Sequence, residues 1–182
     1  MAFGAGPFGA GPFGGMPILP RVQFDVEEPV VGQSIIQVAA YVDRALIERL
    51  RLHPDDLRTV DRRFFEELVA ELFVGFGYEV ELTKRTRDGG KDIVAVRRKE
   101  VDTRFLIECK RPDPGNPVTV STVRELYGVK VDDGASKAIL ATTTYLTEDA
   151  KIFVERHRWE LEARVFGGLL EWINAYLGLS KT

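Results

Sequence analysis

Cysteine is almost missing from this chain; Cys109 is the only one. No internal disulfide can form, and no cysteine-rich zinc site can be assembled. Histidine is nearly as scarce. His53 and His157 stand far apart with no ligand spacing, so they read as core or surface residues and not as a metal pair. No apolar run approaches the length of a membrane span. The opening MAFGAGPFGA has no positive charge and no apolar core, so a secretory signal is not expected and a cytoplasmic location is. Neither a phosphate-binding P-loop nor a dinucleotide fingerprint occurs. Overall positive charge is lacking too: the net charge is −3, which does not advertise a nucleic-acid binder.

What is present is unevenly spread. From Lys84 to Asp113, ten Lys/Arg stand against six Asp/Glu, a local excess of four positive charges. By itself that describes a solvated charged face. Residues 4–13 repeat GAGPF. Glycine and proline at that density form neither helix nor ladder, so a flexible low-complexity arm is expected. With the extended lead-in that follows, the arm covers residues 1–32, and removing residues 1–16 is expected to leave the melting temperature unchanged. Ser34 with Gln37 three residues later is a capping-box pattern. Ile35, Ile36, Ala39, Val42, Leu46 and Leu50 then recur at helical spacing, which predicts a helix over 35–51 ended by HPDD. Residues 33–60 are thus an N-terminal helix and linker packed on a core, and 61–178 form the main domain.

In DRRFFEELVAELFVGFGY, residues 61–78, one apolar stripe runs through Phe65, Leu68, Val69, Leu72, Phe73 and Phe76. This predicts a second helix, capped by Asp61 and closed by Gly77. YEVELT, DIVAV and TRFLIECK read as three strands joined by the turns KRTRDGG and RRKEVD. Val118 to Val129 reads as a helix, AILATTT as a buried β-branched strand, Thr147 to Arg158 as a helix with Thr147 as its cap, WELEARVF as an edge strand and LLEWINAYL as a closing helix. This order predicts an α/β fold, a mixed sheet flanked by helices.

The third strand ends in Glu108-Cys109-Lys110. Side chains two apart on a strand share a face, so Glu108 and Lys110 point the same way where a core should stop. In an antiparallel pair, facing residues have numbers that add to a constant. If the RRKEVD turn centres on Glu100, Asp92 faces Glu108, and both acids and Lys110 collect at one end of the hairpin. Gly89 and Gly90 beside them allow a backbone or a phosphate to come close. Two carboxylates so near repel, and one pKa should rise unless a cation sits between them. A hard divalent ion such as Mg²⁺ removes that cost and readily binds phosphate. Lys110 can orient an attacking water or neutralise charge developing on phosphorus. Those residues suit phosphodiester hydrolysis, while spacing alone also fits a surface Glu108–Lys110 ion pair with Asp92 as a turn residue.

The run FEELVAELFVGFGYEVELTKRTRDGGKDIVAV…RFLIECKR…VRELYGV…GASKAILATTTYLTEDA…LLEWI resembles the Mrr-like restriction endonuclease family of the PD-(D/E)xK nuclease superfamily. The resemblance spans roughly residues 34 to 177, with its elements in order. It implies a restriction-endonuclease-like core over 61–178 and an endodeoxyribonuclease that acts on double-stranded DNA, in restriction or defence. It implies Asp92 and Glu108 as Mg²⁺ ligands (Mn²⁺ as a substitute), the backbone carbonyl of Cys109 as a further ligand, Lys110 as the catalytic lysine, and Glu66 as an assisting acid. On a helical wheel Glu66 and Glu71 lie on the two edges of the stripe and Glu67 almost opposite, so the wheel does not choose between Glu66 and Glu71. The GAGPF arm has no counterpart in the family, and Pro112-Asp113-Pro114-Gly115 stands where many members carry an aromatic residue.

Lys84, Arg85, Arg87 and Lys91 flank Asp92 as candidate phosphate-positioning groups, joined by Arg111 and by Arg124 on the following helix. Thr142, Thr143 and Thr144 are explained by strand propensity. Cys109 should point into the core, and Trp159 and Trp172 should pack. A branched-DNA resolvase or repair nuclease, or a non-catalytic DNA-binding module, would share this pattern. A homodimer is left open.

Overall fold

The computed structural model describes residues 41–83, 91–112 and 115–179. The GAGPF arm, the Ser34 capping box, the KRTRDGG turn and hence Lys84, Arg85 and Arg87 lie outside the described residues.

Asp43 opens the first helix, α1 (Arg44–Leu52), its carboxylate accepting from the Ala45 N–H at 2.8 Å. Of the helix expected over 35–51, residues 35–40 lie outside the described residues, 41–43 are not helical and 44–51 are. Tyr41 and Val42 precede α1 in non-helical backbone, because the Tyr41 N–H is spent on the Glu71 carboxylate at 2.8 Å. The HPDD break becomes a 3₁₀ turn, Pro54–Arg58. Asp61 caps α2 (Arg62–Gly75) through the Phe64 N–H. Gly77 turns the chain out of it at φ +84°, a conformation that favours glycine.

The sheet runs β1 (Glu79–Leu82), β2 (Ile93–Arg97), β3 (Thr103–Lys110), β4 (Lys137–Thr142) and β5 (Leu161–Arg164), in that spatial order. β1, β2 and β3 are an antiparallel meander, and β4 and β5 continue it in parallel. Parallel neighbours need crossovers, and α3 (Val120–Asp132) and α4 (Glu148–Arg156) supply them, Thr147 capping α4. α3 begins two residues later than its apolar pattern, because Val118 is used in a parallel bridge to Leu146. The expected strand AILATTT ends at Thr142; Thr143 and Thr144 follow in a bend and remain buried. α5 (Phe166–Gly178) closes the fold.

Alternation along the strands sorts the core into two layers. Ile93, Ala95, Ile107, Cys109, Ile139 and Ala141 meet Phe65, Val69 and Phe73 of α2 and Leu169 of α5. Ala138, Leu140 and Leu161 meet Val123 and Leu126 of α3 and Ala150 of α4. A third cluster joins Ile47 and Leu50 of α1 and Leu57 to Leu68, Leu72 and Ile173, with α1 packed chiefly against α5 and the 3₁₀ turn. Trp172 packs as expected, but Trp159 does not; it is 82% exposed on the turn before β5, its ring beside the Arg158 guanidinium. Among the described residues no helix is long and apolar enough to cross a membrane.

Candidate active site

The β2–β3 register is the one set by a turn centred on Glu100. Ile93 pairs with Ile107 and Val94 with Leu106, and continuing one step brings Asp92 opposite Glu108. The Asp92 N–H donates to the Ile107 carbonyl at 2.9 Å, and the Asp92 carboxylate accepts from the Cys109 N–H at 2.7 Å. Cys109 is thus a scaffold for Asp92 through its backbone, while its thiol is buried in the α2-side core. Burial pushes that thiol well up in pKa, with the Asp92, Glu66 and Glu108 carboxylates adding to it, so it stays protonated.

Glu108 has the opposite strand parity from Cys109 and is 3% exposed. One oxygen, Oε1, lies 2.5 Å from Lys110 Nζ. The other, Oε2, has no hydrogen-bond partner among the described residues. The Glu108 carboxyl is held above the usual glutamate range. Burial is the main cause; Lys110 pulls it back by hydrogen bond and charge, and Asp92 pushes it further up. Repulsion between the two carboxylates, the cause the sequence suggested, is therefore secondary to desolvation.

α2 adds a third acid. Glu66 is 3% exposed, and its carboxylate accepts from Arg62 Nε at 2.9 Å and from Arg63 at 3.3 Å. The same Arg62 guanidinium donates to Asp92 Oδ1 at 3.1 Å. Glu71, on the other edge of the stripe, is equally buried but belongs elsewhere: it accepts from the Tyr176 hydroxyl at 2.7 Å and from the Tyr41 N–H. Glu67 is half-buried and paired with Arg63 at 3.0 Å. Of the three glutamates, Glu66 alone shares a partner with Asp92. Arg62 is the site residue that sequence reasoning missed. The signal was available in RRFFEE, where arginine and glutamate recur at the i,i+4 spacing of helical ion pairs.

The basic candidates that are described have partners within the fold. Lys91 is paired with Asp133, whose carboxyl it holds below the usual aspartate range, chiefly by their hydrogen bond. Arg111 is half-buried and donates to the Arg58 carbonyl at 3.2 Å. Arg124 lies over the Phe153 ring, 5.6 Å from its centroid. None of the three is hydrogen-bonded to Glu66, Asp92 or Glu108 among the described residues. His157 stacks on Tyr127 and Phe153 at centroid distances of 4.5 and 4.6 Å, and Thr142 accepts from the Thr144 N–H.

Among the described residues no three His, Cys, Asp or Glu side chains are gathered into a ready-made metal cage. What Asp92 and Glu108 offer is smaller: two carboxylates, one fixed just before β2 and one near the end of the adjacent β3, the latter with a buried oxygen that lacks a donor among the described residues. An orphan carboxylate oxygen costs desolvation energy unless a cation or a donor meets it. All-oxygen donors in small number suit a hard ion that keeps waters and shares its shell with phosphate. The residues present therefore fit Mg²⁺.

A family model described as a restriction endonuclease, Mrr_cat, matches residues 57–172. An uncharacterized protein of Sinorhizobium fredii (strain NBRC 101917 / NGR234), y4cE, is 31% identical over 100 residues, which is 53% of this chain and 25% of that protein. Among solved structures, the DNA modification-dependent restriction endonuclease AspBHI superposes with a TM-score of 0.51 at 19% identity, covering 80% of this chain and 43% of its own. AF1548, a protein of unknown function, superposes with a TM-score of 0.50 at 20% identity, over 63% of this chain and 66% of its own. At such identities the likeness is one of fold. The chain spans a quarter of the curated relative and under half of AspBHI.

Proposed function

Since the chain belongs to the Mrr_cat restriction endonuclease family, and thus carries a restriction-endonuclease-like nuclease domain, we propose that it is a Mg²⁺-dependent endodeoxyribonuclease acting on double-stranded DNA in restriction. The observation that carries this reading is the orphan Oε2 of Glu108, beside Lys110 and opposite Asp92.

Asp92, Glu108 and the Cys109 carbonyl would hold Mg²⁺. When bound, it supplies Lewis acidity toward a phosphoryl oxygen and makes water a better nucleophile near neutral pH. The rest is done by the chain's own groups. The Cys109 N–H keeps Asp92 from rotating away. Lys110, steadied by Glu108, presents an ammonium to the reacting phosphate. There it orients the attacking water and offsets negative charge that builds on the phosphoryl oxygens in the transition state. Lys84, Arg85 and Arg87 remain the basic groups proposed to track the DNA backbone; Lys91, Arg111 and Arg124 would first have to leave partners in the fold.

Nicking of supercoiled plasmid tests this directly, with Mg²⁺ or EDTA, on modified and unmodified DNA, and with Glu108→Gln in parallel. Nicking by the wild-type chain in Mg²⁺ alone is expected. Equal nicking by Glu108→Gln, or nicking in EDTA, would refute the site. DNA binding without cleavage under every condition would leave a non-catalytic DNA-binding module as the better reading.

A further inference from the structure

Arg62 stands where a cation is least welcome. It is the first residue of α2, at the positive end of a helix whose first turn holds no acid, a position that favours negative charge. The helix dipole does not explain it; the acids do. Its guanidinium forks between Glu66 Oε1 at 2.9 Å and Asp92 Oδ1 at 3.1 Å, tying α2 to the start of β2. Both Asp92 oxygens are thereby engaged, Oδ2 with the Cys109 N–H and Oδ1 with Arg62. An ion that takes Asp92 as a ligand has to compete with the guanidinium for Oδ1.

The exposures suit such an exchange. The side chains of Glu66 and Asp92 are 4% and 15% exposed, whereas that of Arg62 is 55% exposed. The acids are fixed, and the arginine can swing outward on a flexible stem. A guanidinium fork matches a phosphate as well as it matches a carboxylate. Its neighbour Arg63 differs, since it pairs with Glu66 and Glu67 of its own helix.

We propose that Arg62 is a built-in counter-cation of the Asp92–Glu66 pair, which a divalent ion displaces from Asp92 and which a substrate phosphate then receives, so that ion and DNA load the site cooperatively. This rests on the reading of Asp92 and Glu108 as metal ligands. Without DNA, ion affinity is held down by the contact that must be broken. With DNA, the released guanidinium has a new partner and that penalty shrinks. Linkage makes the effect mutual: the ion must tighten DNA binding by the same factor.

The test is Mn²⁺ affinity of the full chain, read from the electron paramagnetic resonance signal of free Mn²⁺. Without DNA, Arg62→Ala should bind Mn²⁺ about five-fold or more tighter than wild type, the lower end of typical coupling. Arg63→Ala controls for the loss of one positive charge nearby and should gain much less. A short DNA duplex, added in the Lys110→Ala background so that it stays intact, should raise Mn²⁺ affinity when Arg62 is present and not in Arg62→Ala. Arg62→Gln keeps the stem and replaces Arg62→Ala should the latter fold poorly. No gain on removing Arg62, or an equal gain on removing Arg63, overturns the proposal. Asp92→Ala separates the two levels. If it abolishes Mn²⁺ binding while Arg62→Ala changes nothing, only the role of Arg62 falls. If Asp92→Ala binds Mn²⁺ as wild type does, the metal site falls and Arg62 with it.

Discussion

Replacing Lys110 by alanine should separate catalysis from stability, and the structure sets the size of both effects. The Glu108 side chain is 4% exposed and that of Lys110 is 37% exposed, with 2.5 Å between Nζ and Oε1. Breaking a fully buried pair by removing one partner costs about 3–5 kcal/mol, whereas an exposed pair is worth about 0–1 kcal/mol. Water can reach the place the ammonium leaves, so we expect about 1–2 kcal/mol at neutral pH without metal. For a domain of this size that lowers the melting temperature by about 2–8 °C. The sign of its pH dependence follows from Glu108. Its carboxyl already sits above the usual value of 4.5, chiefly through burial, and Lys110 is what pulls it back. Without Lys110 it rises further, so the native state keeps a proton that the unfolded state has released. Stability relative to wild type then falls as pH rises from the unfolded value through the folded one, and the melting gap narrows on acidification toward 4.5. Cleavage should fall by on the order of 10²–10³ in rate, as for loss of other transition-state charge stabilisers, while DNA affinity holds. Single-turnover cleavage at saturating Mg²⁺, beside melting curves across pH, reads both. Full activity in the variant would refute the catalytic reading. A gap that widens on acidification would refute the account of Glu108 as a buried acid held down by Lys110.

The two buried acids of α2 should respond differently. Glu66→Gln should weaken Mn²⁺ binding in titration calorimetry, while Glu71→Gln should leave it unchanged and cost about 1–3 kcal/mol in urea denaturation, because the Tyr176 hydroxyl and Tyr41 N–H lose a charged acceptor. Gly75→Ala would put a methyl carbon 2.3 Å from the Tyr176 ring, which is buried and pinned by Glu71; a loss of about 1–3 kcal/mol is expected in the same assay. Burial, together with the Glu71 carboxylate it donates to, pushes the Tyr176 phenol up to about 12. Tyrosinate absorbance should show Tyr176 titrating late, with Tyr41, whose phenol burial also raises, above the ordinary value as well. The stability the Tyr176 proton supplies is complete below the ordinary value of 10.0 and is lost as pH rises through about 12.

The strands and helices were legible because their signals are local. A two-residue period in TRFLIECK and a 3.6-residue period in α2 follow from backbone geometry, whatever surrounds them. The turn centre at Glu100 also carried the β2–β3 register, since antiparallel pairing leaves only a shift to be chosen and the apolar faces choose it. Tyr41 and Val42 departed from the expected helix for the complementary reason. Apolar spacing suggested helix at Tyr41 and Val42, but the Tyr41 N–H is captured by Glu71, thirty positions away. Trp159 was expected to pack for its size, yet nothing local told that its turn leaves it in solvent.

By itself, then, the sequence determined the α/β order, the meander and the meeting of Asp92 with Glu108 and Lys110, because each depends on a period or on one short turn. Only the tertiary structure decided that Glu66 shares Arg62 with Asp92 while Glu71 takes the Tyr176 hydroxyl and the Tyr41 N–H, since both edges of the α2 stripe are equivalent until the layers pack around them. It alone decided that Arg62 spans two acids, that Lys91 and Arg111 are engaged within the fold, and that Glu108 is raised mainly by burial. Desolvation and orphaned oxygens are properties of what surrounds a group in space, and no spacing along the chain encodes that surrounding before the layers have packed.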